Sequence, residues 1–154
     1  ALPISPEKCT CHQFSDFLCF NRYYGWYLLG GYEMQDAEEA FRAELDAWLA
    51  KGLDCPFVFT EYGCDNLQGE YKLPSVQWSA EYELEYLKIY ERVFDSYDCI
   101  KGEQVWNFAD FQTVEGIMRV NGNKKGIFTR QRQPKAAAYY FKNRWENLPV
   151  DYKG

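Results

Sequence analysis

The stretch PFVFTEYG, residues 56–63, decides how this chain is read. Phe57, Val58, Phe59 and Thr60 make a short apolar run rich in strand-forming residues, the pattern of a strand buried on both faces of a parallel sheet. Glu61 leaves the carboxyl end of that strand, and Tyr62-Gly63 follows it. A carboxylate there is costly unless it faces a pocket or a partner. In barrel enzymes that edge carries the catalytic groups. Taken alone, Glu61 reads equally well as a capping or salt-bridged glutamate.

Outward from this strand, residues 16–21 (DFLCFN) and about 99–108 (CIKGEQVWNF) read as two further buried strands. An amphipathic helix is expected over 34–51, with Ala37, Ala40, Phe41, Leu45, Trp48 and Leu49 on one stripe and Gly52 after its end. A second helix is expected after Ser79, its N-cap, to about residue 96, with Tyr82, Tyr86, Leu87, Tyr90, Val93 and Phe94 buried. A third is expected to start at Pro134, a residue suited to a first helical position, and to run to about residue 145. Strand and helix alternating three times is the order of parallel βα units, an α/β fold. Two connections after strands, 62–78 and 109–133, are long and would carry functional groups to the carboxyl edge. Three parallel strands leave open edges, so the chain reads as part of a larger sheet or barrel.

Composition adds two constraints. Aromatic residues make up 19% of the chain and His12 is its single histidine, which excludes a multi-histidine metal site and disfavours a Ser-His-Asp triad. No window approaches the about 20 continuous apolar residues of a spanning helix. Residues 117–145 contain no acid but hold Arg119, Lys124, Lys125, Arg130, Arg132, Lys135, Lys142 and Arg144, within a chain of net charge −6. That segment reads as a local anion site or a solvated basic face, not as a nucleic-acid surface. Cys9-x-Cys11-His12 resembles half a zinc site, but no second Cys or His pair follows. Cys19, Cys55 and Cys99 read as small buried hydrophobes, and the thiols as reduced. No metal or cofactor is expected.

Polar and aromatic residues follow all three strands: Asn21, Tyr23, Trp26 and Tyr27 after the first, Glu61 after the second, Trp106, Asn107 and Asp110 after the third. Together they favour a carbohydrate pocket over an ordinary core rim. Asn121-Gly122 is a turn signal, and Asn123 and Lys125, two residues apart, would share one side of an extended stretch. An amide and an ammonium suit a carboxylate, whereas a hairpin tip with solvated lysines is the plainer alternative. Asp65 and Asp110 read as loop-orienting or solvated, Arg130, Arg132 and Lys135 as surface or helix-start residues, and Glu103 as paired with a base or supporting the pocket from behind.

The strings NRYYGWY (21–27), TEYG (60–63), WNFADF (106–111) and GNKKGIFTR (122–130), in this order, resemble the β-glucuronidases of glycoside hydrolase family 2. The likeness runs from about residue 14 to residue 145, and NRYYGWY and Trp78-Ser79 are closer to the bacterial, gut-type members than to the animal lysosomal one. The resemblance implies the last three βα units of a (β/α)8 TIM barrel, with an irregular lead-in at 1–13, barrel units at 14–146 and a tail at 147–154. It implies Glu61 as nucleophile, Asn21 as an orienting residue, Tyr23 and Tyr27 lining the sugar site, Trp106 in its floor, and Arg119, Asn123 and Lys125 around the sugar carboxylate. It also implies retaining hydrolysis of β-D-glucuronides, with two carboxyl groups about 5–5.5 Å apart.

The acid/base glutamate of the family follows an asparagine on an earlier strand, and no Asn-Glu pair precedes Asn21 here. The chain is therefore expected to be a carboxyl-terminal fragment, inactive alone. A glucuronide-binding fragment without catalysis, complementation by another chain, and another family 2 glycosidase such as a β-galactosidase are the alternatives. A bacterial cytoplasmic location, a small-molecule glucuronide as partner, no membrane partner, and homo-oligomers among full-length relatives complete the expectations.

Overall fold

Phe57, Phe59 and Tyr62 project from one face of a strand into a cluster of rings, and this contact organises the first of two units in the chain. The computed structural model describes residues 5–150 and 152. Residues 1–4 of the expected lead-in, and Asp151, Lys153 and Gly154 of the expected tail, lie outside the described residues. The elements run β1 (Leu18–Asn21), α1 (Met34–Leu49), β2 (Phe57–Tyr62), α2 (Ala80–Asp95), β3 (Ile100–Val105) and α3 (Ala136–Asn147), with a short 3-10 turn at Cys11–Phe14 in the lead-in. The strand order is β1-β2-β3, with β1 parallel to β2. This is the alternating α/β order expected from the sequence. No described helix is long and apolar enough to cross a membrane.

One unit runs to Tyr62 and resumes over Ile89–Gln104; the other comprises Gly63–Lys88 and Val105–Tyr152. In the first unit, α1 buries Ala37, Phe41, Leu45 and Trp48. Phe59 packs on Phe94 with ring centres 4.7 Å apart and on Phe41 at 5.4 Å. Tyr62 stacks on Tyr90 at 5.3 Å with the planes 10° apart. Such contacts add to the area term that dominates folding. Two terminators behave as the sequence implies. The Ser79 hydroxyl accepts from the Tyr82 amide, capping α2, and Gly52, at φ +73°, closes the turn after α1.

Three details correct the sequence reading. β1 is buried on one face only: Phe20 is buried while Cys19 and Asn21 are exposed, because the ring cluster covers the Phe20 face. Cys19 is accordingly exposed, and Cys55 and Cys99, which precede β2 and β3, are half-buried; the buried cysteine is Cys64, whose thiol is pushed well up by that burial. Third, α3 begins at Ala136, not at Pro134. Lys135 holds an extended backbone and gives its amide to the Ile127 carbonyl.

The sheet register slips between Phe20 and Asn21, which face Phe59 and Glu61, so Thr60 is an extra residue in β2. Strict alternation from Phe57 and Phe59 would drive Glu61 into the ring cluster. The bulge moves the alternation on by one, placing Tyr62 inside and leaving Glu61 half-buried.

The interior ring of Phe59 is expected to be central to this unit. Phe59→Ala should cost about 3–5 kcal/mol, measured by urea denaturation of the chain.

Candidate active site

Glu61 is held by Tyr23, whose phenol donates to Glu61 Oε2 at 2.8 Å. Burial first, then the hydrogen bond and charge of Glu61, raise the Tyr23 hydroxyl well above the usual phenol range. Tyr23 therefore stays a protonated donor. Its ring centre lies 4.9 Å from that of Tyr27, which is 44% exposed and offers an aromatic face to solvent. Asn21 Oδ1 accepts from the Thr60 hydroxyl at 2.6 Å. Thr60, Glu61, Asn21, Tyr23 and Tyr27 are thus one constellation at the carboxyl ends of β1 and β2. Trp26, also singled out from the sequence, is buried as core.

Arg22, which the sequence reading passed over, fixes this constellation. Its amide donates to the Glu61 carbonyl at 2.9 Å, and its guanidinium donates to the Asn21 carbonyl at 2.9 Å. The same guanidinium grips the Glu44 carboxylate through Nε at 2.8–2.9 Å and Nη2 at 2.5 Å. Glu44 also accepts from Tyr24 at 2.9 Å and the Trp48 indole at 3.2 Å. A forked pair inside the fold needs this saturation, since desolvating two ions offsets their attraction. No sequence spacing points to it, because Arg22 and Glu44 are 22 residues apart.

In the second unit, Asn121 (φ +58°) and Gly122 (φ +92°) form the tight turn that the Asn-Gly pair announces. Asn123 then exchanges two backbone hydrogen bonds with Phe111, at 2.8 and 3.2 Å. Beyond it the segment 123–128 runs beside 107–111, with Asn107 N–H to Lys125 O at 2.9 Å and Ile127 N–H to Asn107 O at 2.9 Å. The Trp106–Asn107 peptide, cis, opens this stretch, and the half-buried Trp106 ring packs edge-on against Phe111 at 6.0 Å. Gly63 sits where an added Cβ would meet the Trp106 carbonyl.

Lys125 is 1% exposed, so it is not the solvated lysine of the plainer sequence reading. Its ammonium pairs with Asp65, whose other oxygen accepts the Lys124 amide at 2.8 Å. Arg119 approaches the same carboxylate at 3.6 Å. The Asn123 side-chain oxygen accepts the Lys125 amide at 2.9 Å. Two cations and an amide side chain are thus gathered around Asp65 and Asn123. Asp65 and Asp110 are both buried and paired, which settles against their being solvated. Lys135 is likewise interior rather than surface, whereas Arg130 and Arg132 are exposed. Glu83 lies in the same buried cluster and accepts from the Asn66 side chain at 2.6 Å. Burial pushes its carboxyl up to about 7, against the pull of Lys135 and Asn66.

Comparison with known proteins fits this geometry. The family model "Glycosyl hydrolases family 2, TIM barrel domain" matches residues 3–150. The chain belongs to that family, and its βα units are part of a TIM barrel. It is 48% identical over 143 residues to a β-glucuronidase of Paenibacillus borealis, covering 93% of this chain and 24% of that protein. Among solved structures, Ruminococcus gnavus β-glucuronidase matches with a TM-score of 0.90 at 62% identity, over 94% of this chain and 25% of that one. Lactobacillus rhamnosus β-glucuronidase matches with a TM-score of 0.92 at 59% identity, over 97% and 25%. The chain thus spans about a quarter of the length of these relatives.

Two outcomes follow from the charges. Glu44→Ala strands the Arg22 guanidinium and should destabilise the chain by about 3–5 kcal/mol, whereas Arg22→Met with Glu44→Leu should recover most of the loss in urea melts. Glu83 has a folded pKa of about 7, above its ordinary 4.5. Its contribution to stability is full below the unfolded value and is lost as pH rises through the folded one. Glu83→Gln should flatten that fall, read as a smaller difference between urea midpoints at pH 5 and pH 8.

Proposed function

We propose that this chain is the nucleophile-bearing and carboxylate-recognising part of a retaining β-glucuronidase. The buried Lys125, next but one to Asn123 and paired with Asp65, carries the reading: a lysine held in the interior beside an amide is built for a charged ligand, not for solubility. A hydrogen bond to a charged group contributes about 1.5–3 kcal/mol, enough to separate an acid sugar from its neutral analogue by about tenfold to a hundredfold. The names of the relatives support the same substrate class, and the Ruminococcus gnavus enzyme has been solved in complex with D-glucuronic acid.

In this mechanism Glu61 Oε1 or Oε2 attacks the anomeric carbon, the bond to the leaving oxygen breaks, and a glucuronyl ester forms on Glu61. Tyr23 orients the carboxylate through its protonated phenol. Tyr27 and Trp106 offer aromatic surface to the sugar, Asn21 orients the reacting groups through Thr60, and Arg119, Asn123 and Lys125 receive the sugar carboxylate. A second carboxyl group protonates the leaving oxygen and later activates water; no residue of this chain is assigned that role, and the isolated chain is inactive.

The test places the chain in register in the matching quarter of the Ruminococcus gnavus enzyme. The hybrid should hydrolyse an aryl β-glucuronide; Glu61→Gln should lower kcat by about a thousandfold or more, and Lys125→Ala should lower the glucuronide-to-glucoside ratio of kcat/KM about tenfold to a hundredfold. A hybrid insensitive to Glu61→Gln overturns the nucleophile assignment. Turnover by the isolated 154-residue chain overturns its inactivity.

A further inference from the structure

We infer that Lys135 is a positioning residue that sets the substrate specificity of the Asn123-x-Lys125 segment, an inference that rests on the carboxylate role proposed for that segment. Lys135 is 1% exposed and stands at the start of α3. Its ammonium makes three hydrogen bonds: to the Asn66 carbonyl at 2.9 Å, to the Lys124 carbonyl at 2.7 Å and to Asp110 Oδ1 at 2.9 Å. An ammonium has three protons, so this set exhausts it and leaves none for a ligand. Lys135 cannot act on a substrate directly.

Its partners bracket Lys125. On one side it holds the Lys124 carbonyl. On the other, Asp110 Oδ1, the oxygen it pairs with, accepts the Gly126 amide at 3.0 Å. The Lys135 backbone amide donates to the Ile127 carbonyl at 3.1 Å. Residues 124, 126 and 127 are therefore tied through one lysine and its counter-ion. Gly126 is also wedged, since a Cβ there would strike the backbone of Asp110, Ala109 and Phe128. The Lys125 ammonium thus projects from a backbone with little freedom to shift, and Asp65 sets its direction.

Rigid placement matters because recognition of a carboxylate by an ammonium falls off steeply with misplacement, and displacement by about 1 Å can cost a hundredfold in rate. A neutral sugar makes no such demand on this segment. The clamp should therefore affect acid sugars selectively, which a lysine that only stabilised the fold would not do.

Lys135→Met keeps the stem and removes the ammonium. In the hybrid enzyme it should lower kcat/KM for an aryl glucuronide by about tenfold to a hundredfold, mainly through KM, and leave the glucoside within about threefold. In the 154-residue chain, hydrogen exchange at the Lys125, Gly126 and Ile127 amides should quicken at least about tenfold while the β1 and β2 amides keep their rates. Asp110→Asn, which keeps an acceptor for Gly126 but discharges the pair, should give the same pattern more weakly and serves if Lys135→Met does not fold. An unchanged ratio, an equal loss on both sugars, or unaltered exchange overturns the inference. Lys125→Ala separates the two readings. If it leaves the sugar ratio intact, or the hybrid is inactive, the carboxylate role fails and takes the specificity claim with it. If it collapses the ratio while Lys135→Met does not, the clamp alone is wrong.

Discussion

One extra residue in β2 governs where that strand's end places its carboxylate. A regular strand would alternate Phe57, Phe59 and residue 61 onto the face that packs against Phe41, Tyr90 and Phe94, and an unpaired carboxylate among those rings would cost several kcal/mol or lose its charge. The bulge at Thr60 lets Tyr62 take the inner position, stacked on Tyr90, while Glu61 leaves the core to meet the Tyr23 phenol. The ring packing and the placement of Glu61 are thereby separated by a single register slip. A bulge persists only where the surroundings over-determine it. Here they do: the Tyr62–Tyr90 stack pulls on one side, and the Arg22 amide on the Glu61 carbonyl fixes the other.

The second unit solves a different problem, how to keep cations indoors. Lys125 and Lys135 are both nearly inaccessible, and each has a buried aspartate of its own, Asp65 and Asp110. Sharing one carboxylate between them would leave a bare charge. Exchanging them for apolar residues would be tolerable energetically, so stability alone does not account for two buried lysines ten residues apart. The pairing does account for rigidity: the three ammonium protons of Lys135 are committed to the Asn66 and Lys124 carbonyls and to Asp110, and both Asp65 oxygens to residues 124 and 125. Glu83 adds a third acid to this cluster, and burial, with a smaller push from Asp110 and Asp65, raises its carboxyl pKa.

Periodicity and punctuation made most of the architecture legible. The stripes of α1 and α2, the Ser79 cap and Gly52 are local signals, each carried by residues within one or two turns. The end-of-strand residues Asn21, Tyr23, Glu61, Trp106 and Asp110 were legible too, because a polar residue closing an apolar run is conspicuous. What escaped is non-local. Arg22 looked like one more residue in an aromatic string until Glu44, on the facing helix, gave it a partner. Lys135 looked like a helix-start cation because the carbonyls it holds belong to loops far from it in sequence. Cys19 defeats its expected burial, and Cys64 carries no local signal, for a related reason: a strand's composition does not reveal which of its two faces is covered, or that the loop residue Cys64 is the buried one.

The abundance of aromatic residues finds its explanation in the difference between phenylalanine and tyrosine here. Phe20, Phe41, Phe57, Phe59 and Phe94 fill the interior, where a polar tip would be stranded. Tyrosines occupy the places where that interior meets a strand end or a loop. Tyr24 donates to Glu44, Tyr90 to the Tyr24 carbonyl and Tyr23 to Glu61, while the Tyr86 hydroxyl accepts the Gly63 amide. Each spends its hydroxyl on a polar group: Tyr90 and Tyr86 satisfy backbone groups that follow a strand, and Tyr24 and Tyr23 hold the carboxylates of Glu44 and Glu61. A phenylalanine at any of these positions would pack equally well and hold nothing. The tyrosines therefore convert hydrophobic burial into positional order at the carboxyl edge, where the fold places Glu61.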